Sequence, residues 1–207
     1  MSPKSRPARM TQGPVGRNLF KLTVPMMGGI YSFMLFNFVD AMYLGRLGAL
    51  QLAAVTFTFP VALVVSSFGQ GIGVGASAII SRAIGEQDES NVRRITTDTL
   101  LLSLLGALVF TGLGLLTIEP LFRVLGATSE VMPYIREYMV LWYLGVPFVI
   151  IPLVGNNAIR ATGDTRTPAI IMISSAAANA ILDPLLIFGP WVFPELGVTG
   201  AALASLL

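Results

Sequence analysis

Charged side chains divide this sequence into long apolar runs. Residues 22–39, 47–81, 99–118 and 138–159 carry no charge, and between Arg166 and Glu195 the only charge is Asp183. A bilayer-spanning helix needs about 20 mostly apolar residues. The pattern therefore predicts five full spans, roughly 19–44, 52–81, 96–118, 133–156 and 167–188, and the start of a sixth at about 196. Transmembrane strands would appear as alternating segments of about 10 residues. No such alternation is visible, and Pro and Gly are frequent. The expected fold is an all-α polytopic transmembrane helix bundle.

Composition sharpens this reading by exclusion. Apolar residues make up 54% of the chain, with 21 glycines besides, and charged residues 12%. Soluble domains carry about 25% charge, so a soluble globule could not cover its surface here. The chain has neither Cys nor His. That removes disulfides, thiol chemistry, and the commonest proton shuttle and metal ligand. With no Walker sequence and no nucleophile–base pair, an enzyme is not expected, and no cofactor either.

The net charge of +2 records topology. Ten of the thirteen Lys and Arg residues fall in the tail and in alternate loops: Lys4, Arg6, Arg9, Arg17, Lys21, Arg82, Arg93, Arg94, Arg160 and Arg166. The positive-inside rule then puts the N-terminus in the cytoplasm. The expected location of the bundle is the plasma (inner) membrane. The basic residues form no face, so no nucleic-acid partner is expected. The tail 1–17, rich in Pro, Arg and Ser, reads as a disordered cytoplasmic segment. It is not a signal peptide, because the apolar run behind it exceeds an h-region of about 7–15 residues. The remainder, 18–207, reads as one transmembrane lobe, incomplete at its C-terminus because the sixth apolar run reaches only about 12 residues after Glu195.

Two acids inside the spans are the chemical candidates. A charged side chain at mid-bilayer costs at least about 2.5–3.5 kcal/mol, so Asp40 and Asp183 are functional residues by default. Each lies four or five residues from the outer end of an outward-running span, and matching depth lets two acids share one pocket. Asn179 precedes Asp183 by one helical turn and projects from the same face. Pro184 has no N–H and leaves the carbonyl of Ala180 without its helical partner. Carboxylate, amide and carbonyl oxygens are hard ligands suited to Na⁺ or H⁺. Asn37, one turn before Asp40, and Asn156 and Asn157, at the end of span four, are candidate residues of a polar cavity, Asn37 and Asn156 foremost, or else polar links between helices. Pro25 is a candidate gating bend, one of several span prolines with Pro60, Pro147, Pro152 and Pro184.

Two sequence patterns are read as packing and capping. The run from Gly69 to Ser77 imitates a dinucleotide fingerprint, but no strand precedes it. Small residues at this spacing fit close helix packing in lipid. Arg82-Ala-Ile-Gly85-Glu86 and Arg160-Ala-Thr-Gly163-Asp164 match at a spacing of 78 residues. Each places Arg at the inner interface, Gly at a helix end and an acid near the next helix start.

These motifs together resemble the multidrug and toxic compound extrusion (MATE) family. The resemblance rests on Leu-Thr-Val-Pro25, Asp40-x-x-x-x-Gly45-x-Leu-Gly48, the Gly-rich second span and Ser81-Arg-Ala-Ile-Gly-Glu86. It extends through Arg160-Ala-Thr-Gly-Asp164 with Pro168, Asn179-x-x-x-Asp183-Pro184 and Leu196-Gly-Val-Thr-Gly-Ala201. It implies a bundle of twelve spans in two lobes, of which this chain is most of the first, exchanging Na⁺ or H⁺ for cationic or amphipathic drugs. It also implies a cation or proton site at Asp40, Asn179 and Asp183, with a hydroxyl from span six, Thr199 or Ser205, as a further ligand. The partners implied are the lipid bilayer, a small-molecule substrate and the missing C-terminal lobe. Two other readings stay open: a half-sized membrane assembly subunit or scaffold with structural acids, and a lipid-linked substrate flippase of the same superfold.

Overall fold

The computed structural model describes residues 15–189 together with 199, 200 and 203. Five long helices follow one another: α1 Val15–Leu47, α2 Ala49–Gly85, α3 Glu89–Val124, α4 Met132–Ala161 and α5 Arg166–Phe188. Thr199, Gly200 and Leu203 are helical as well. Among the described residues, four helices are long and apolar enough to cross a membrane, at Leu52–Gly85, Glu89–Val124, Met132–Ala161 and Arg166–Ile187.

These four helices lie over the second to fifth expected spans, and they are longer than the uncharged runs. Helix α3 begins at Glu89, seven residues before the expected span, and α2 runs through Arg82 to Gly85. A charge marks where hydrocarbon ends, not where the helical backbone ends, since Glu, Arg and Lys are good helix formers. Val15, Gly16 and Arg17 already belong to α1, so only residues 1–14 of the expected tail lie outside the described residues.

The turns are tight. Gly48 alone separates α1 from α2, at φ 143°, a backbone that side-chain-bearing residues rarely adopt. The two loops that match in sequence differ in detail. Gly163 takes the left-handed position after α4, at φ 88°, but after α2 that position falls to Gln87, at φ 60°, and Gly85 is still helical. The acid that caps α3 is Asp88, which accepts from the Asn91 N–H at 3.0 Å, while Glu86 pairs with Arg82 at 3.0 Å. Asp164 caps α5: Oδ1 accepts from the N–H groups of Arg166 (2.9 Å) and Thr167 (3.0 Å), and Oδ2 from the Thr167 hydroxyl (2.5 Å).

The Thr167 hydroxyl and amide, assisted by Arg166, hold the Asp164 carboxyl below the usual carboxylate range. A depressed folded-state value stabilises above the unfolded value and is lost as pH falls through the folded one. Asp164→Ala is therefore expected to cost about 1 kcal/mol at neutral pH, as for other caps. The difference from the parent should shrink only in strong acid, which thermal melts in detergent across pH would reveal.

Helix α4 is the centre of the bundle. It packs along α2 and α3, and its Ile135, Met139, Val146, Ile150 and Val154 are fully buried with Phe122 of α3 and Val65 of α2. Glycines set the close approaches: Gly69 and Gly73 of α2 lie against Leu153 and Asn157 of α4, and Gly114 of α3 lies under the Tyr143 ring. The Thr111 hydroxyl donates to the Tyr143 carbonyl at 2.7 Å, tying α3 to α4. Helices α1 and α5 form a second unit, packed on each other and only sparsely on the other three. Here Gly29 faces Met172 and Ala169. Large apolar side chains along α1 are exposed, among them Phe20, Tyr31, Met34 and Phe38, as on a lipid-facing helix.

Candidate functional site

Helix α5 carries the polar centre of the α1/α5 unit. Its residues are small or aliphatic almost throughout, and Asn179 and Asp183 interrupt them one turn apart. Both are buried, Asp183 to 0% exposure and Asn179 to 6%, and neither is without an interaction partner. Pro184 stands inside α5, which continues to Phe188. The Ala180 carbonyl therefore has no N–H four residues on. Carboxylate, amide and freed carbonyl thus fall within one turn, as the spacing predicts.

The packing of α1 on α5 sets the level of Asp40. Short connections reverse the chain at each turn, so α1 and α5 run in parallel, and at one level Gly29 meets Ala169 and Met172. Eleven residues further along both helices, Asp40 comes level with Ala180–Asp183, by equal helical rise. The backbone of Asp40 is part of α1, but its side chain and that of Asn37 lie outside the described residues. Pro25 stands inside α1, half-buried, one turn before Gly29.

On α4 the buried amide is Asn157, not its neighbour. Asn157 Nδ2 donates to Gln70 Oε1 at 3.1 Å and to the Leu153 carbonyl at 2.9 Å, while Asn156 is only half-buried. The sequence reading names neither this link between α2 and α4 nor Gln70. Its one signal is an amide inside the Gly-rich run, which the packing interpretation absorbs. The same run behaves as two faces. Gly69 and Gly73 contact α4, whereas Gly71 and Gly75 have open space around them.

Two further polar contacts lie at opposite ends of α4. Near its start, Glu137 accepts a hydrogen bond from the Thr199 hydroxyl, so this candidate ligand is engaged by α4. Ser205, the other hydroxyl considered, lies outside the described residues. Near the end of α4, Arg160 Nη2 lies 3.6 Å from Met172 Sδ of α5. No cluster of three or more Asp, Glu, His or Cys able to hold a metal is found among the described residues. Two open grooves, one apolar beside Pro60 and one polar beside Arg123 and Arg136, include neither Asn179 nor Asp183.

The MatE family profile matches residues 25–185. A protein of Shewanella oneidensis named an FAD transporter is 42% identical over 95% of this chain and 44% of its own. A probable multidrug resistance protein of Bacillus subtilis is 30% identical over 99% of this chain and 43% of its own. A solved transporter of the MOP superfamily from Pyrococcus furiosus superposes with a TM-score of 0.89, at 31% identity, over 99% of this chain and 44% of that one. The chain thus spans somewhat under half the length of the relatives it matches. With its long apolar helices and a family match across four-fifths of its length, this chain is a multi-pass membrane protein that belongs to the MatE family of transporters.

Proposed function

We propose that this chain is the first lobe of a secondary active antiporter that exports cationic or amphipathic drugs in exchange for Na⁺ or H⁺. The observation that carries this reading is on α5: two adjacent-turn polar side chains, Asn179 and Asp183, are buried in an otherwise apolar helix; equal helical rise from the Gly29 contact brings Asp40 of α1 to their level. Asp40, Asn179 and Asp183 bind the coupling ion. Asn37 and Asn156 line the drug cavity. Pro25, whose missing N–H frees the carbonyl of Lys21, lets α1 bend when the ion binds. Coupling follows because the ion prefers one of the two α1 shapes over the other. The N-terminus is cytoplasmic, the membrane is the plasma membrane, and a second lobe completes the transport path. The multidrug resistance relative in Bacillus subtilis supports export of drugs.

The test is an efflux assay in the full-length protein. Asp40→Asn is expected to lower export at least about fivefold, the lower end of common coupling energies. Export at the parental rate would overturn the ion-site assignment.

A second reading has its own support. The FAD transporter relative is 42% identical where the multidrug relative is 30%. The substrate is then a flavin dinucleotide carried by the same ion-driven bend. Uptake of FAD into inverted vesicles, with and without competing cationic dye, separates the two substrates.

A further inference from the structure

Three described arginines have a carboxylate one helical turn away and pair with it: Arg82 with Glu86 at 3.0 Å, Arg94 with Asp98 at 3.7 Å and Arg123 with Glu119 at 3.6 Å. Arg160 has the same spacing to Asp164 and, like exposed Arg93 with Glu89, makes no such pair. Both Asp164 oxygens are committed to the start of α5, through the Arg166 and Thr167 amides and the Thr167 hydroxyl.

The Arg160 guanidinium turns to α5 instead. Nη2 meets only the thioether of Met172, and the buried Nε–H finds no acceptor among the described residues. A thioether sulfur is a weak acceptor, and leaving a charged donor unsatisfied in a buried place is unfavourable. Met172 in turn rests on Gly29, so the guanidinium stands where α1, α4 and α5 converge. The residue as a whole is only partly buried, which leaves part of it open to a ligand. Its charge has no counter-ion among the described residues.

We infer that Arg160 is the anchor of an anion site for a phosphate group at this junction. A guanidinium fork matches two phosphate oxygens, and a phosphate at the open edge of the guanidinium supplies the counter-charge. Under the proposed topology this end of the bundle is cytoplasmic, where basic pockets between helices receive lipid headgroups. The phosphate belongs either to an anionic phospholipid or to a soluble diphosphate-bearing solute. The inference is independent of the ion site on α5.

The test uses delipidated full-length protein in detergent, with melting followed as phosphatidylglycerol, phosphatidylcholine or inorganic pyrophosphate is added. The parent is expected to gain stability with phosphatidylglycerol or pyrophosphate and not with phosphatidylcholine. A response to phosphatidylglycerol alone assigns the lipid, and a response to pyrophosphate alone assigns a soluble ligand. Arg160→Gln is expected to weaken the response at least about tenfold in concentration, as loss of a charge-assisted bond does. Arg160→Lys keeps part of the response. Arg166→Gln, at an exposed arginine nearby, keeps all of it. Met172→Glu places a carboxylate against Arg160 and is expected to remove the response with Arg160 in place, which covers the case where Arg160→Gln does not fold. An unchanged response in Arg160→Gln or in Met172→Glu, or a parent unmoved by both anions, overturns the inference.

Discussion

Asp183→Asn in the full-length protein is expected to reduce drug export by about 5- to 150-fold while leaving the melting temperature equal to or above that of the parent. The two halves of that expectation come from one fact. Asp183 is completely buried in a helix long and apolar enough to cross the membrane. Keeping a carboxylate inside a span is unfavourable, by about 2.5–3.5 kcal/mol at mid-bilayer and less toward the interface. Asparagine preserves the size and an oxygen acceptor for the contact that Asp183 makes, and removes that cost. What disappears is the group able to hold a proton or a sodium ion, and with it the free-energy difference that biases α1. A purely structural acid gives the opposite pattern: a lower melting temperature and unchanged export per folded molecule. Efflux normalised to folded protein, measured beside a detergent melt, separates the two. Asn179→Ala should move in the same direction by a smaller amount, because the carboxylate remains.

Much of the fold is legible in the sequence because lipid imposes a simple rule. Hydrocarbon excludes charge, so the uncharged runs locate α2 to α5, and Asp40 and Asp183 stand out as violations. The Asn179–Asp183–Pro184 cluster is readable for a related reason: it is local to one turn, and helical geometry alone brings its parts together. The contacts between helices are another matter. Helix α4 is apolar nearly all round, so periodicity gives no preferred face. Nothing in the order Asn156-Asn157 says which amide turns toward α2, and the structure buries the second against Gln70. The same blindness hides the meeting of Glu137 with Thr199, 62 positions apart, and of Arg160 with Met172. Asp164 is a subtler case. Its spacing to Arg160 equals that of the paired arginines, yet the free amides at the start of α5 compete for its oxygens and hold them.

Gly73→Ala and Gly75→Ala differ by two positions and one methyl group each, and are expected to shift stability in opposite directions. A methyl at Gly73 would stand 2.5 Å from Asn157 Nδ2 and 3.1 Å from Asn157 Cβ. The stem of that side chain cannot swing aside while its amide holds Gln70 and the Leu153 carbonyl. Either the hydrogen bonds break or α2 and α4 separate, and overpacking of this kind costs about 1–3 kcal/mol. Between helices in lipid no hydrophobic gain offsets the lost contact, because acyl chains are as apolar as the partner helix. A methyl at Gly75 meets nothing within 4 Å. There the dominant effect is the lower backbone entropy of alanine in the unfolded chain, which favours the helix by about 0.5–1 kcal/mol. Melts of the two variants side by side decide the point. Equal stability of the two would mean that the α2–α4 contact at Gly73 and Asn157 does not hold the helices at this distance.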